Sequence, residues 1–355
     1  MRDKQFRGRQ TNTFFVAIIS LLSGLLAGAL LMASIGSNPL LGYKYLVQGA
    51  LMNSFQVGNT LATATNLLLV GLSVAIAFKA GLYNFGASGQ MLVGGMTASL
   101  IALRTTALPH PLALAILILS ALLGGALWGI IPGLLKGLLN VHEVLSTMLM
   151  NWIAYWSVCY FAPALLFESD LGIAHLLRLS WLSKLFNGSS LDLVLFVAIA
   201  ALIIIKFTLD KTTFGFELKA VGSARDCAEY AGIKVKAYMV LSMMMAGGLA
   251  GLAGLAFHSL PMQAGFLPSQ GFDGIAVAVL AAGNPLGVVF SSLFFGLLKS
   301  GKAFMCTKTG IPAEIADIII ALIIYFSACT LLFKKLCRGN KVKITKSADD
   351  RNKEV

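Results

Sequence analysis

Charged side chains are scarce in this sequence. Asp, Glu, Lys and Arg make up only 12% of its 355 residues, whereas 57% are hydrophobic and the mean hydropathy is +0.83. Soluble globular domains carry about 25% charged residues, so the composition excludes an ordinary soluble protein. A transmembrane helix needs about 20 apolar residues, and the apolar runs suffice for about ten. We therefore expect an all-α integral membrane protein with about ten transmembrane helices, some of them broken or half-length.

Motifs for metal binding and catalysis are also missing. The five cysteines form no CxxC pair and have no metal-ligand spacing with the four histidines. No HExxH or GxSxG motif occurs. Gly296–Ala303 matches a phosphate loop except at its last position, where alanine replaces the Ser or Thr that holds magnesium. We expect no catalytic residue, metal or cofactor on this chain, so that any ATP and Mg²⁺ used would be bound by a separate ATPase.

Basic residues outnumber acidic ones, giving a net charge of +12. They concentrate on the segments that the positive-inside rule places in the cytoplasm, so the charge follows from topology and does not indicate nucleic-acid binding. The first apolar run, Phe14–Ile35, is too long for a signal-peptide core. We predict cytoplasmic basic termini at residues 1–13 and 334–355, with a single membrane domain at 14–333 between them.

Within that domain, we expect residues 36–58, which are polar and mildly amphipathic, and residues 168–190 to lie outside. Two glycine series, at 125, 129, 133 and 137 and at 247, 248, 251 and 254, predict close helix packing. The later spans that the apolar runs predict are Thr60–Phe78, a third ending at Leu103, Pro111–Leu135, a fifth that contains Asn151, Leu191–Leu209, Tyr238–Leu260, Leu286–Leu298 and Ile311–Phe333.

Two stretches place polar residues and glycines at membrane depth, where irregular backbone is tolerated only if protein or a wet cavity surrounds it. They are 80–91 and 266–287, the second predicted to hold a half-length helix broken at Asn284–Pro285. Each has a simpler interpretation, a glycine-rich helix start for the first and a helix cap for Asp273. Polar residues at depth are candidates for a translocation path. The candidates are Asn66, Asn84, Ser88, Gln90, Asn151, Asp273 and Asn284.

Residues 210–236 place nine charged residues between two apolar runs. Such a segment must lie in water, and topology predicts the cytoplasmic side. Ser223 with Asp226 is typical of a capping box, and Gly232 of a helix end, so we expect a short helix over Ala224–Ala231. This helix is either a docking surface or part of an ordinary solvated loop.

Four motifs occur in one order along the chain. They are Asn84–Gln90, Asn140–Thr147, Gly215–Gly222 followed by Tyr230–Ile233, and Gly271–Ala278 followed by Asn284–Gly287. Together they resemble the permease subunits of bacterial ABC importers for nucleosides and simple sugars, relatives of the ribose permeases that often pair with a lipoprotein receptor of the basic-membrane-protein type. Ser88 and residues 281–283 depart from the usual pattern, which affects the expected substrate more than the family.

The resemblance implies an importer in the bacterial cytoplasmic membrane with a cytoplasmic ABC ATPase, an external substrate-binding lipoprotein and a second permease, more often a different one than a copy. It also implies that 210–236 contacts the ATPase. The residues expected to couple the two subunits are Gly215, Glu217, Gly222, Arg225, Asp226, Glu229, Tyr230 and Gly232.

Three transport functions are compatible with these features. A nucleoside or simple sugar suits a path of amides and hydroxyls, which can satisfy a neutral solute without burying a charge. A riboflavin-like ligand is an alternative within the same family. A stand-alone ion-coupled transporter is an alternative of another class, but it needs acids or a sodium site deep in the bilayer.

Overall fold

The computed structural model describes residues 2–105, 107–165, 176–177, 179–257 and 267–328. Every regular element in these ranges is a helix, as the composition predicted. One of these elements is a short 3₁₀ helix, Gly254–Phe257. The α-helices are α1 Arg2–Ser34, α2 Pro39–Leu51, α3 Ser54–Lys79, α4 Ala87–Arg104, α5 His110–Leu139, α6 Glu143–Leu165, α7 Ser180–Leu185, α8 Val194–Lys211, α9 Thr213–Ser223, α10 Arg225–Tyr230, α11 Val235–Ala253, α12 Gln270–Leu280, α13 Pro285–Thr309 and α14 Ala313–Ala328.

Four of the described helices are long and apolar enough to cross a membrane, namely α3, α5, α13 and α11 with its 3₁₀ extension. A fifth span arises if residues 18–34 and α2, which meet at 117°, are counted together. The chain is thus an all-helical, multi-pass membrane protein. The count of about ten spans stays a prediction.

The chain forms two compact units, of which the first contains the described residues of Met1–Leu46 and Lys302–Val355. In this unit α1 packs on α14 so closely that a Cβ at Gly24 would lie 2.6 Å from the Ile323 carbonyl oxygen. The Tyr43 hydroxyl donates a 2.5 Å hydrogen bond to the Leu25 carbonyl. Lys302 pairs with Asp317 at 2.7 Å.

The second unit, Val47–Gly301, has a core in which glycine allows backbones to touch. A Cβ at Gly125 of α5 would lie 2.2 Å from the Gly247 carbonyl oxygen of α11, and a Cβ at Gly251 would lie 2.3 Å from the Ala121 carbonyl oxygen. The predicted close packing of both glycine series is confirmed for these residues. Gly248 is the exception, because its nearest neighbour would be 3.4 Å away.

Most of the polar, mildly amphipathic stretch 36–58 is helical, and its place outside the membrane stays a prediction. Asn38 Oδ1 accepts a 3.0 Å hydrogen bond from the Leu40 backbone N–H, and Pro39 occupies the first helical position. Proline is favoured there since its missing N–H would have no partner in the helix. Asn53 then caps α3, accepting from the Gln56 N–H at 2.8 Å.

Two predicted breaks are confirmed. Helix α3 ends at Lys79, and residues 80–86 are irregular up to the start of α4, with Gly81 at φ +69°. Helix α12 is only 11 residues long and ends before Ala282 and Gly283, which have φ of +51° and +65°. Left-handed backbone of this kind stops a helix.

The span predicted to end at Leu298 is longer, since α13 continues to Thr309. Lys299 therefore lies in the middle of a helix instead of beyond its end. Its ammonium pairs with the Asp273 carboxylate of α12. This pairing neutralises the charge that had suggested a helix end.

Candidate coupling surface and translocation site

The polar segment 210–236 folds into two short helices, α9 and α10. The helix expected over 224–231 is present as α10, and Gly232 follows it at φ +82°. The capping box is wrong, because Ser223 ends α9 and its hydroxyl donates to the Lys219 carbonyl at 2.8 Å. Thr212 instead caps α9, its Oγ1 accepting from the Gly215 N–H at 3.2 Å.

Backbone contacts fix α9 and α10 against the ends of α8 and α3. A Cβ at Gly215 would lie 2.2 Å from the Thr208 carbonyl oxygen, and one at Gly222 would lie 2.1 Å from the Lys79 carbonyl oxygen. Arg225 Nη2 donates a 3.1 Å hydrogen bond to the Gly81 carbonyl. The segment is thus joined to the start of the irregular stretch 80–86.

The opposite side of this segment is open. Tyr230 is 94% exposed and Phe216 is 71% exposed, while Ala228 faces inward at 4%. Asp226 and Glu229 are exposed beside Tyr230. We call Phe216, Asp226, Glu229 and Tyr230 the coupling surface. Aromatic residues are enriched at protein interfaces, and charged residues are found at their solvent-accessible rims.

Sequence reasoning missed Phe216, although an aromatic residue within a charged segment was the available signal. Of the other predicted coupling residues, Glu217 is partly buried and Gly215 is buried. The predicted set thus divides into residues that hold the segment in place and residues that face outward. Their part in coupling stays a prediction.

Four of the predicted path residues form a buried polar network around residues 84–90. Asn84 Nδ2 donates to Gln90 Oε1 at 2.8 Å and to Ser73 Oγ at 3.2 Å. Asn151 of α6 accepts from the Gly89 N–H at 2.8 Å and donates to the Phe85 carbonyl at 2.8 Å. These side chains satisfy the backbone of the irregular stretch.

The network also reaches the start of α12. Ser88 Oγ donates to the Pro268 carbonyl at 2.8 Å, and a Cβ at Gly271 would lie 2.1 Å from that Oγ. Because Ser88 and Asn151 bond to backbone groups, and Asn84 bonds to Ser73, Gln90 and the Gly86 N–H, their evident role is to hold two irregular segments together. A solute would have to displace these bonds to contact them.

The remaining three path candidates are placed differently. Asn66 is 7% exposed in the middle of α3, and its Oδ1 accepts no hydrogen bond from the described residues. Asp273 does not cap α12; it pairs with Lys299. Asn284 is exposed, and its Oδ1 accepts a hydrogen bond from the Leu286 N–H at 3.1 Å. It follows Gly283, where a Cβ would lie 3.6 Å from Lys79 Nζ.

With this geometry in view, the similarity to known proteins can be placed on the structure. Residues 56–328 match the family described as "Branched-chain amino acid transport system / permease component". The match covers most of the chain, including the coupling surface, the polar network and α12. The chain belongs to this permease family.

Several curated relatives of this permease cover nearly its full length. The nucleoside ABC transporter permease protein NupB of Lactococcus lactis is 36% identical over 97% of this chain and 98% of its own. The guanosine ABC transporter permease protein NupP of Bacillus subtilis is 38% identical over 90% and 94%. The glucose ABC transporter permease protein TsgB13 of Haloferax volcanii is 28% identical over 90% and 88%. No solved structure matches the permease.

Family membership assigns the molecule to a class whose role is to form the membrane pathway of a transport system. It favours a permease component over a stand-alone ion-coupled transporter. It assigns no role to single residues, so the path and coupling residues of the permease stay predictions.

Proposed function

We propose that this permease is the membrane subunit of an ATP-driven importer that moves a nucleoside into the cell, with a simple sugar as the second substrate class. The observation that carries the proposal is the full-length similarity to permeases named for nucleosides and guanosine. The glucose permease is less similar, which is why we rank sugars second. A riboflavin-like ligand has no such support.

In this proposal the coupling surface docks a separate cytoplasmic ABC ATPase, which binds ATP and Mg²⁺. The docking is supported by the exposed Tyr230 and Phe216 on a segment that backbone contacts hold against α3 and α8. A rigidly mounted helix pair transmits displacement to the membrane helices better than a solvated loop does. Arg225, bound to Gly81, provides the nearest link.

The other parts of the proposal follow the family resemblance. The membrane is the bacterial cytoplasmic membrane, with both termini and the coupling surface inside and residues 14–333 as the permease domain. A substrate-binding lipoprotein delivers the solute from outside. A second, different permease completes the pathway, surrounded by membrane lipid.

Charge reversal on the coupling surface tests the docking. In the complete importer reconstituted in proteoliposomes, Asp226→Lys combined with Glu229→Lys is expected to lower ATP-driven guanosine uptake at least about tenfold, because reversed interface charges repel a complementary partner. ATP hydrolysis stimulated by the loaded receptor falls in parallel. The matched control is Lys184→Glu, an exposed charge on α7 in the segment predicted to lie outside.

The control complex is expected to transport like the wild type. If the double reversal also transported normally while the protein inserted at normal levels, the docking assignment would fail. If the wild-type complex imported neither guanosine nor glucose, the proposed substrate classes would be wrong whatever the variants did.

A further inference from the structure

Two buried amide oxygens have no hydrogen-bond partner among the described residues. They are Asn66 Oδ1 on α3 and Gln270 Oε1 at the start of α12. Leaving a buried acceptor unsatisfied is costly, and native proteins keep few such groups. The polar network around Asn84 contains neither of them. Two of these acceptors on packed helices therefore call for an explanation.

The register of α3 and α12 places both oxygens at one level. The helices run parallel: a Cβ at Gly274 would lie 2.3 Å from Val70, and one at Gly283 would lie 3.9 Å from Phe78. Asn66 and Gln270 each precede a residue of the Val70–Gly274 contact by four positions. Residues four apart lie on the same helix face, so both amides lie one turn before that contact, on the facing sides of the two helices.

This level lies near the middle of α3, a helix long and apolar enough to cross a membrane. Asn66 is about 18 Å along α3 from Ser54 and about 20 Å from Lys79, at about 1.5 Å per residue. Because a hydrocarbon core is about 30 Å thick, we infer that an α3 that crosses the bilayer places Asn66 and Gln270 far from either surface. Gln270 is also the first residue of the half-length helix α12.

The neighbouring charges cancel each other. Asp273 follows Gln270 by three residues, on adjoining parts of the same face, and it pairs with Lys299 of α13. The region next to the two amides thus contains an ion pair but no net charge from it. A neutral solute suits such a region better than an ion, since it adds no uncompensated charge at depth.

We propose that Asn66 and Gln270 form a solute-contact site midway along the membrane path, where their amide oxygens accept hydrogen bonds from hydroxyl or N–H groups of a neutral solute. The site rests on the importer function proposed above. Sugar hydroxyls and nucleobase N–H groups are donors of this class. Two acceptors on different helices hold such a solute weakly enough to release it.

Apolar replacements test this site, because they are expected to lower transport without lowering the stability of the protein. In the complete reconstituted importer, Asn66→Leu and Gln270→Met are each expected to lower ATP-driven uptake of guanosine or glucose, whichever the wild type imports, about three- to tenfold. The melting temperature of either variant should stay the same or rise, because an unsatisfied buried acceptor is removed. ATP hydrolysis stimulated by the loaded receptor should persist, since the coupling surface is untouched.

Thr65→Val is the matched control. Thr65 lies beside Asn66, is 5% exposed, and bonds within its own helix to the Leu61 carbonyl at 2.7 Å. Its variant is expected to transport normally, which separates the loss of a solute acceptor from the loss of any buried polar group.

Wild-type uptake by both Asn66→Leu and Gln270→Met would overturn the site and would show that the two oxygens bind water or nothing. If Asn66→Leu failed to assemble, Gln270→Met alone would decide, because normal uptake by it refutes the paired site. Failure of the wild-type complex to import either solute would instead refute the proposed function.

Discussion

At the scale of single residues, the adjacent glycines Gly247 and Gly248 of α11 differ in how closely they approach α5. A Cβ at Gly247 would lie 2.3 Å from the Gly125 carbonyl oxygen, closer than real Cβ atoms come. A Cβ at Gly248 would come no closer than 3.4 Å to the Leu122 carbonyl oxygen, an ordinary contact. Of these two neighbours, only Gly247 limits how closely α5 and α11 can approach.

Gly247→Ala is therefore expected to destabilise the permease by about 1–3 kcal/mol, because the two backbones must move apart. Gly248→Ala, its neighbour on the same helix, is expected to be neutral or slightly stabilising, since alanine is the better helix former. Thermal unfolding of the two purified variants in one detergent measures the difference. Equal melting temperatures would contradict the assigned α5–α11 contact.

The residue types along the chain were enough to predict where polar groups lie at membrane depth, but they could not separate bonded from unbonded ones. Asn151 is satisfied by Phe85 and Gly89, which lie more than sixty positions away in sequence. Asn66, with a similar sequence environment, has an oxygen without a described partner. Pairing over such separations depends on the packing of α3, α4, α6 and α12, which no local pattern contains.

At the scale of elements, the half-length α12 depends on its neighbour α13. Asp273 and Lys299 join the two helices, with side chains 16% and 26% exposed. Removing one partner of a buried pair leaves the other charge uncompensated, which costs more than the pair itself contributes. Asp273→Asn is expected to lower the free energy of unfolding by on the order of 2–4 kcal/mol. Denaturation of the purified protein would measure it.

Asp317→Asn provides the comparison for this pair. Lys302 and Asp317 also form an ion pair, but the Asp317 side chain is 66% exposed. Exposed pairs contribute at most about 1 kcal/mol, so this variant should unfold nearly like the wild type. A larger effect at Asp317 than at Asp273 would be inconsistent with a buried, coupled α12–α13 pair. Restoration by the exchanged pair Asp273→Lys with Lys299→Asp would support it.

Arg225 links the coupling surface to the membrane helices through the Gly81 carbonyl. Arg225→Ala removes this hydrogen bond while leaving Phe216, Asp226 and Tyr230 in place for the partner. We expect the ATPase to remain bound, and ATP-driven uptake to fall about threefold to tenfold, because one charged hydrogen bond contributes about 1.5–3 kcal/mol before exposure weakens it. Comparing co-purification of the ATPase with uptake in proteoliposomes separates docking from transmission. Loss of both together would assign Arg225 to the interface itself.

Sequence reasoning did not predict α2 and α9. Their caps are visible in the sequence, but another pattern in the same segment led to a different interpretation. Asn38–Pro39 begins α2 within a segment for which the polar, mildly amphipathic pattern predicted only a place outside the membrane. Ser223 and Asp226 matched a capping box, yet Thr212 had already started α9, and the helix runs through Ser223. Capping motifs are short and frequent, so a sequence match alone does not identify the residue that caps a helix. Here the packing of Gly215 on α8 and of Gly222 on α3 fixes the position of α9.

At the scale of the whole molecule, the energy source is the property that most sharply separates the two classes of transporter. A proton-coupled transporter needs a buried group that takes up the proton, most often an acid, and a sodium-coupled one needs a site of carboxylate or carbonyl oxygens. In the part of the chain that the structure describes, Asp273 is paired with Lys299, and Glu143 is paired with Lys136 at 2.9 Å. These acids are already neutralised by protein cations, so binding a proton or Na⁺ at either would first break an ion pair.

We therefore expect the purified permease, reconstituted alone, to take up neither guanosine nor glucose under an imposed proton or sodium gradient. The same chain with its ATPase, second permease and receptor is expected to accumulate solute only when ATP is supplied, and an ionophore should leave that uptake unchanged. Measuring both with one labelled solute in matched liposomes separates the two energy sources. Gradient-driven uptake by the single chain would refute the assignment to an ATP-driven importer.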